Sequence, residues 1–320
     1  MFVASQKLRK CKKGLKVWSR DHFGNVQKNI RQLKDRFWRA KEVSARFGNS
    51  EEVAQLKKEL NVLLEKEEQM WQQHSCIQWL KSGDQNTRFF HGSASQRKRK
   101  NFIKGLRDEQ GVWQEDEEVF STLLTEFYSN LFTSTNPHDL DCILDGVQTV
   151  VTTKMRVQLD KPYTNEEVGA AIREMAPLKA LGPNGMPPLF FQTYWPDVGM
   201  DVTHVVLSSL NSGSILKSIN HTFITLIPKV NNLERVSNFR PISLYNVIYK
   251  IISKVIANRL KPLLDSIISE TRSAFIVDRL ITNNILIAFE FFHHMKTNCT
   301  GKKGFMAMKL DMSKAYDRVE

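Results

Sequence analysis

At 320 residues and 41% hydrophobic composition, the chain has room for two or three domains with cores of their own. No apolar run approaches the ~18 residues of a membrane span, and the basic N-terminus lacks a signal-peptide apolar stretch. A soluble protein of the cytoplasm or nucleus is therefore expected. The net charge of +12 is uneven: residues 1–108 hold 25 Lys and Arg against 11 Asp and Glu, residues 109–320 hold 21 against 23. Such asymmetry favours nucleic acid as the partner of the first third, with a solvated Lys-rich helical surface as the plainer alternative. Cys11, Cys76, Cys142 and Cys299 are far apart and form no CxxC pair, so they read as free thiols.

Residues 1–20 are basic and poorly patterned, and fraying is expected there. From about Asn25 to Phe47, Val26, Ile30, Leu33 and Phe37 share one helical face, ended by Gly48-Asn49. Ser50 with Glu51 and Glu52 then opens a second amphipathic helix through Val53, Leu56, Leu60 and Trp71. Two such helices around a short turn predict an antiparallel helical hairpin over residues 1–74. Residues 75–108 interleave Trp79, Phe89 and Phe90 with Arg88 and the run Arg97, Lys98, Arg99, Lys100. Aromatic faces stack on bases and cations neutralise phosphates, so the mixture suits single-stranded nucleic acid. For the aromatics a core role is the stronger reading; for the basic run, phosphate contact is.

Asn101–Gln114 predicts a hairpin with its turn at Asp108–Gly111, and Asp116–Phe132 a helix. Thr164 with Glu167 three residues on forms a capping box for a helix to Met175. A Gly/Pro-rich loop, PLKALGPNGMPP, precedes a helix over roughly Asp197–Leu210. TFITLI, residues 222–227, reads as a strand ending in Pro228-Lys229, and a loop leads to Phe239-Arg240-Pro241. Cations at the ends of two paired strands suit either a triphosphate grip or an ordinary surface hairpin. From Tyr245 to Leu264, Ile248, Ile251, Ile252, Val255, Ile256 and Leu263 share one apolar face. Arg259 falls in the middle of that face and needs a partner, since an unpaired buried cation is costly. Pro262 should interrupt the helix nearby. At the far end, MAMKLDMSKAYDRVE places Asp311 at the exit of an apolar strand, with Asp317 beyond it. That arrangement suggests one wall of a magnesium site, although no Asp-Asp dipeptide occurs anywhere in the sequence.

Six segments, WLKSGDQNTRFFH, KALGPNGMPP, ITLIPKVNNLERVSNFRPISL, YKIISKVIANRLKPLL, SAFIVDRLITNNILIAFE and MKLDMSKAYDRVE, occur in the order and approximate spacing of one family. Together they resemble the reverse transcriptase of non-LTR (long interspersed element) retrotransposons, plant type. The resemblance covers the chain from about Trp71 and implies an α+β fold. Residues 1–74 would be the basic helical linker, 75–150 a basic extension, and 151–320 the fingers with the first palm strand, an incomplete domain. It implies that Lys229 and Arg240 hold the incoming nucleotide's phosphates. Asp311 would be the first catalytic, Mg2+-binding aspartate, with Met312 touching metal or nucleotide. Tyr316 would screen against a ribose 2′-hydroxyl. Arg259 and Arg279 look structural or template-facing, and Arg88 and Arg97–Lys100 nucleic-acid-binding. RNA template, DNA primer and deoxynucleoside triphosphates are the implied partners.

The family pattern has GPDG where this chain has Asn184, proline where it has Leu181, glutamine where it has Arg272, and Pro-Gly where it has Val277-Asp278. The last change removes a permissive position from a turn. The family's aromatic-Ala-Asp-Asp motif and thumb would lie beyond Glu320, so these 320 residues are expected to be a fragment without polymerase activity of their own. A non-catalytic RNA- or DNA-binding remnant and an inert retroelement-derived protein are the alternatives.

Overall fold

The structure, a computed structural model, describes residues 2–22, 24–48, 50–75, 87–134, 136, 141, 145–146, 149–231, 233–269, 272, 276, 278–297 and 306–308. It is α+β, mostly helical with two small two-stranded sheets. The chain divides into two compact units.

One unit comprises residues 5–120 and 224–243. Its helices are α1 (Phe2–His22), α2 (Val26–Phe47), α3 (Glu51–Ser75) and α4 (Thr87–Asn101). α1 departs from the fraying expected of residues 1–20. Lys, Arg, Leu and Gln are good helix formers, and Leu8, Cys11, Leu15 and Trp18 recur at helical spacing. α2 opens on Asn25, whose side chain accepts from the Lys28 amide, and closes on Gly48, whose N–H reaches Ser44 O. α2 packs on α3, and α3 on α4, burying Ile30, Leu33, Leu56 and Phe90. α4 is a second helix that apolar periodicity did not announce; of its adjacent Phe89 and Phe90, the second is buried and the first exposed.

Strands β1 (Leu106–Arg107) and β2 (Trp113–Gln114) pair antiparallel, Leu106 opposite Gln114, around a turn at Asp108–Gly111. The hairpin is shorter than expected, since Asn101 still belongs to α4. Asp108 fixes the turn, accepting from the Val112 amide and from Gln114 Nε2, each at 2.8 Å. The Gln114 bond, opposed by desolvation and helped by backbone amides, holds its carboxyl below the usual range. Strands β3 (Phe223–Pro228) and β4 (Phe239–Leu244) form the second sheet.

The other unit comprises residues 1–4, 121–223 and 244–320. After α5 (Glu117–Phe132) come α6 (Thr153–Leu159), α7 (Asn165–Arg173), α8 (Pro188–Thr193), α9 (Trp195–Ser212) and α10 (Lys217–Asn220). α11 (Val247–Leu260) breaks into a 3₁₀ turn at Lys261–Leu263, where Pro262 cannot continue the α-helical bonding, and α12 (Leu264–Ile267) follows. α7, α9 and α11 pack against one another. Their core holds Val168, Ile172, Val205, Val206, Ile251 and Val255, with Phe191 of α8. Ile256, assigned to that face from its spacing, is exposed, because the buried stripe is narrower than a 100° count suggests. Gln192 Nε2 donates to Ile172 O and Met175 O, both at 2.8 Å, adding a side-chain tie to the C-terminal end of α7. α13 (Ile281–Thr297) buries none of its residues. No described helix is long and apolar enough to cross a membrane.

Candidate functional site

The β3–β4 hairpin holds the two cations expected at its ends. The Lys229 amide donates to Asn238 O at 2.9 Å, so the two residues face each other across the strands. Arg240 lies two residues past Asn238, which puts it diagonal to Lys229 on the same face of an antiparallel ribbon. Both side chains are exposed, and neither has a hydrogen-bond or ion-pair partner among the described residues. The backbone beneath them is tightly held. Asn238 Oδ1 accepts from the Arg235 amide at 2.9 Å and the Glu234 amide at 3.4 Å. Arg107 grips the same loop twice, with its amide on Glu234 O at 2.7 Å and its Nε on Glu234 Oε2 at 3.0 Å. Val236 and the fully buried Phe239 anchor the loop on either side of Asn238. The arrangement offers two solvated cations on a fixed frame, which is what recognition of a phosphate chain requires.

In the other unit, the Gly/Pro-rich loop forms a turn closed by the Gly185 amide on Gly182 O at 2.9 Å. Asn246, at 6% exposure, is its dock. Asn246 Oδ1 accepts from the Asn184 amide at 2.9 Å, while Nδ2 donates to Ser218 O and Ile219 O. Lys250 Nζ reaches Ala180 O at 2.7 Å. Its burial, with the neighbouring charge of Lys179, pushes its ammonium below the usual lysine value. Asn184 Oδ1 accepts from the Met186 amide at 3.2 Å. An aspartate would accept there equally well.

Arg259 has the partner its position demanded. Nε donates to Glu167 Oε1 at 2.6 Å and Nη2 to Oε2 at 2.9 Å, a two-pronged pair. Nη1 donates to Leu159 O and Lys161 O, and Nη2 also to Pro162 O. All five guanidinium protons are thereby used. The guanidinium carbon also lies 3.7 Å from the Tyr163 ring centroid. Glu167 completes the expected capping box, accepting from the Thr164 amide at 2.8 Å. The Arg259 bond outweighs desolvation and holds the Glu167 carboxyl below its usual range. Farther along the same pair of helices, Glu174 Oε2 takes Lys254 Nζ at 2.8 Å and Asn258 Nδ2 at 3.2 Å. Arg259 is thus a structural clamp.

Arg279 is structural as well: Nη1 donates to Ser269 O and Arg272 O, and Nη2 to Asp265 Oδ1 at 2.7 Å. Asp278 beside it has φ 63°. The turn that glycine would make easily is therefore made by an aspartate in the left-handed region, at a cost of about 1 kcal/mol. Arg97, Lys98, Arg99 and Lys100 are all exposed, three of them in the last turn of α4, where cations also complement the helix dipole. The Arg88 side chain, and Asp311, Met312, Tyr316 and Asp317 entirely, lie outside the described residues. Among those described, no group of three or more His, Cys, Asp or Glu is arranged to hold a metal.

Residues 227–320 match the reverse transcriptase (RNA-dependent DNA polymerase) family. The matched stretch contains Lys229, Arg240, Asn246, Arg259 and Asp311. Over 248 residues the chain is also 31% identical to the transposon TX1 uncharacterized 149 kDa protein of Xenopus laevis. The aligned stretch is 77% of this chain and 19% of that protein, so the chain spans about a fifth of the relative's length.

Sequence reasoning missed Arg107, Glu234, Asn238, Asn246 and Gly182, which hold the β3–β4 loop and the GPNG turn in shape. Asn246 carried one signal, as a helix-opening asparagine directly before an apolar run. Arg107 and Glu234 carried none, being ordinary charges 127 residues apart.

Proposed function

We propose that this chain is the nucleotide-gripping part of an RNA-directed DNA polymerase encoded by a non-LTR retrotransposon of plant type. In this reading the β3–β4 hairpin belongs to the fingers, and Lys229 and Arg240 hold the triphosphate of an incoming deoxynucleotide. Asp311, with Met312 beside it, binds Mg2+, which supplies charge neutralisation at the phosphates. Tyr316 bars a ribose 2′-hydroxyl. The observation that supports the reading best is the pair of exposed cations on one face of an anchored hairpin, within the stretch that matches reverse transcriptases.

Two-cation nucleotidyl transfer takes more carboxylates than Asp311 offers, so binding is the readout of choice. Calorimetric titration with a deoxynucleoside triphosphate and magnesium is expected to show binding weakened about tenfold by Lys229→Ala and by Arg240→Ala. Unchanged affinity in both variants sinks the assignment.

A second reading, RNA binding without chemistry, is favoured by the four exposed cations Arg97–Lys100. Replacing all four with glutamine should weaken oligouridylate binding and flatten the slope of log affinity against log salt by about 3, roughly 0.7 per lost phosphate contact. A slope left unchanged would assign the run to helix-end electrostatics.

A further inference from the structure

α2 carries a feature that its packing does not use. It meets α3 through the stripe that holds Ile30 and Leu33, while Arg31, Lys34, Trp38 and Lys41 follow one another at spacings of three, four and three residues along a neighbouring side. All four are exposed, Trp38 at 57% of its surface. Lys41 Nζ stands 5.0 Å from the centroid of the Trp38 ring. The stripe runs about 15 Å along the helix. An indole left in water forgoes one of the largest burial gains open to any side chain, and here it has Lys34 and Lys41 on one flank, Asp35 and Glu42 on the other, in the third of the chain that carries all the excess positive charge.

We propose that this stripe is a stacking platform for single-stranded RNA. The indole takes an unpaired base on its face, and Arg31, Lys34 and Lys41 take the phosphates on either side. Aromatic stacking with flanking cations is the chemistry of sequence-tolerant single-strand binding. A membrane surface fits less well, because a helix lying in lipid needs a broad apolar face, and α2 spends its own against α3. The inference rests on the reading of this protein as one that works on RNA, and it adds a site on a different helix from Arg97–Lys100.

The test uses the whole chain, labelled oligouridylate of twenty nucleotides and fluorescence anisotropy across a salt series. Trp38→Ala should weaken binding about tenfold, within the range measured for loss of one stacked base. Its salt slope should stay that of the unmodified protein, because no phosphate contact is lost. Trp38→Phe should retain most of the affinity, and Val43→Ala, which trims another exposed apolar residue of α2, should change nothing. Lys34→Gln with Lys41→Gln should lower the slope by about 1.4. Full affinity in Trp38→Ala, with loss in the Arg97–Lys100 variant, overturns the platform and leaves RNA binding standing. Indole quenching by phosphatidylserine vesicles but not by oligouridylate overturns it in favour of a membrane. No binding by the unmodified protein removes both this site and the broader RNA reading.

Discussion

Arg259→Met is expected to destabilise the unit built on α7, α9 and α11 by about 3 kcal/mol, read from urea or thermal unfolding. The guanidinium, at 11% exposure, donates to a carboxylate and to three backbone carbonyls, and stacks on Tyr163. Methionine fills similar volume but leaves the carbonyls of Leu159, Lys161 and Pro162 without the guanidinium, and Glu167 with the Thr164 amide alone of its two partners. The figure sits at the lower end for a broken buried pair, because Glu167 keeps 31% of its side chain exposed and part of its charge returns to water. Arg259→Lys keeps the charge but not the fork, so it should recover less than half of the loss.

The same pair fixes the sign of an acid effect. Glu167 titrates below its ordinary range in the folded protein, chiefly through the Arg259 bond. Its contribution is therefore complete above the pKa of the unfolded chain and is lost as pH falls through the lowered folded value. The gap in stability between the unmodified protein and Arg259→Met should narrow as the pH is lowered through that window. A gap independent of pH would show that the carbonyl contacts, and not the ion pair, hold the corner.

Gly182→Ala is the second large effect, about 3 kcal/mol or more. A Cβ on Gly182 would stand 2.3 Å from Tyr245 O, 2.4 Å from its carbonyl carbon and 2.6 Å from the Asn246 amide nitrogen. All three are backbone atoms at the start of α11, so relief requires parting the GPNG turn from the helix. That move would strip Asn246 of the Asn184 amide and Lys250 of Ala180 O. Gly14 and Gly92, mid-helix with nothing within 4 Å of a built Cβ, supply the contrast. Alanine at either should stabilise by about 0.5–1 kcal/mol, since only backbone freedom is lost. Equal effects at Gly182 and Gly92 would rule out the close approach.

Local signals in the sequence were read well where the physics is local. Thr164 and Glu167 lie within one helical turn, Pro262 acts on its own helix, and Asp108–Gly111 closes on itself. Arg259 was legible as a problem, a cation on an apolar face, but not as a solution, because its carboxylate lies 92 residues away. Gly182 was legible as part of a turn, whereas its real constraint, the Tyr245 carbonyl, is a tertiary contact. α4 escaped because propensity leaves no periodic trace, whereas α1 carries one in Leu8, Cys11, Leu15 and Trp18. The hairpin cations were marked by position, and the Arg107–Glu234 brace beneath them could not be.

The polar ties of the α7–α11 region nest inside one another. Asn184 meets Asn246 across 62 residues, Ala180 meets Lys250 across 70, Glu174 meets Asn258 across 84, Glu167 meets Arg259 across 92 and Leu159 meets Arg259 across 100. Closing the innermost contact leaves each later one only a short gap to span, so the large entropic cost of ring closure falls once and the rest follows as a zipper. Since that cost grows by only about 0.6 kcal/mol per doubling of length, the 62-residue span between the two halves could lengthen considerably before the corner at Arg259 felt it.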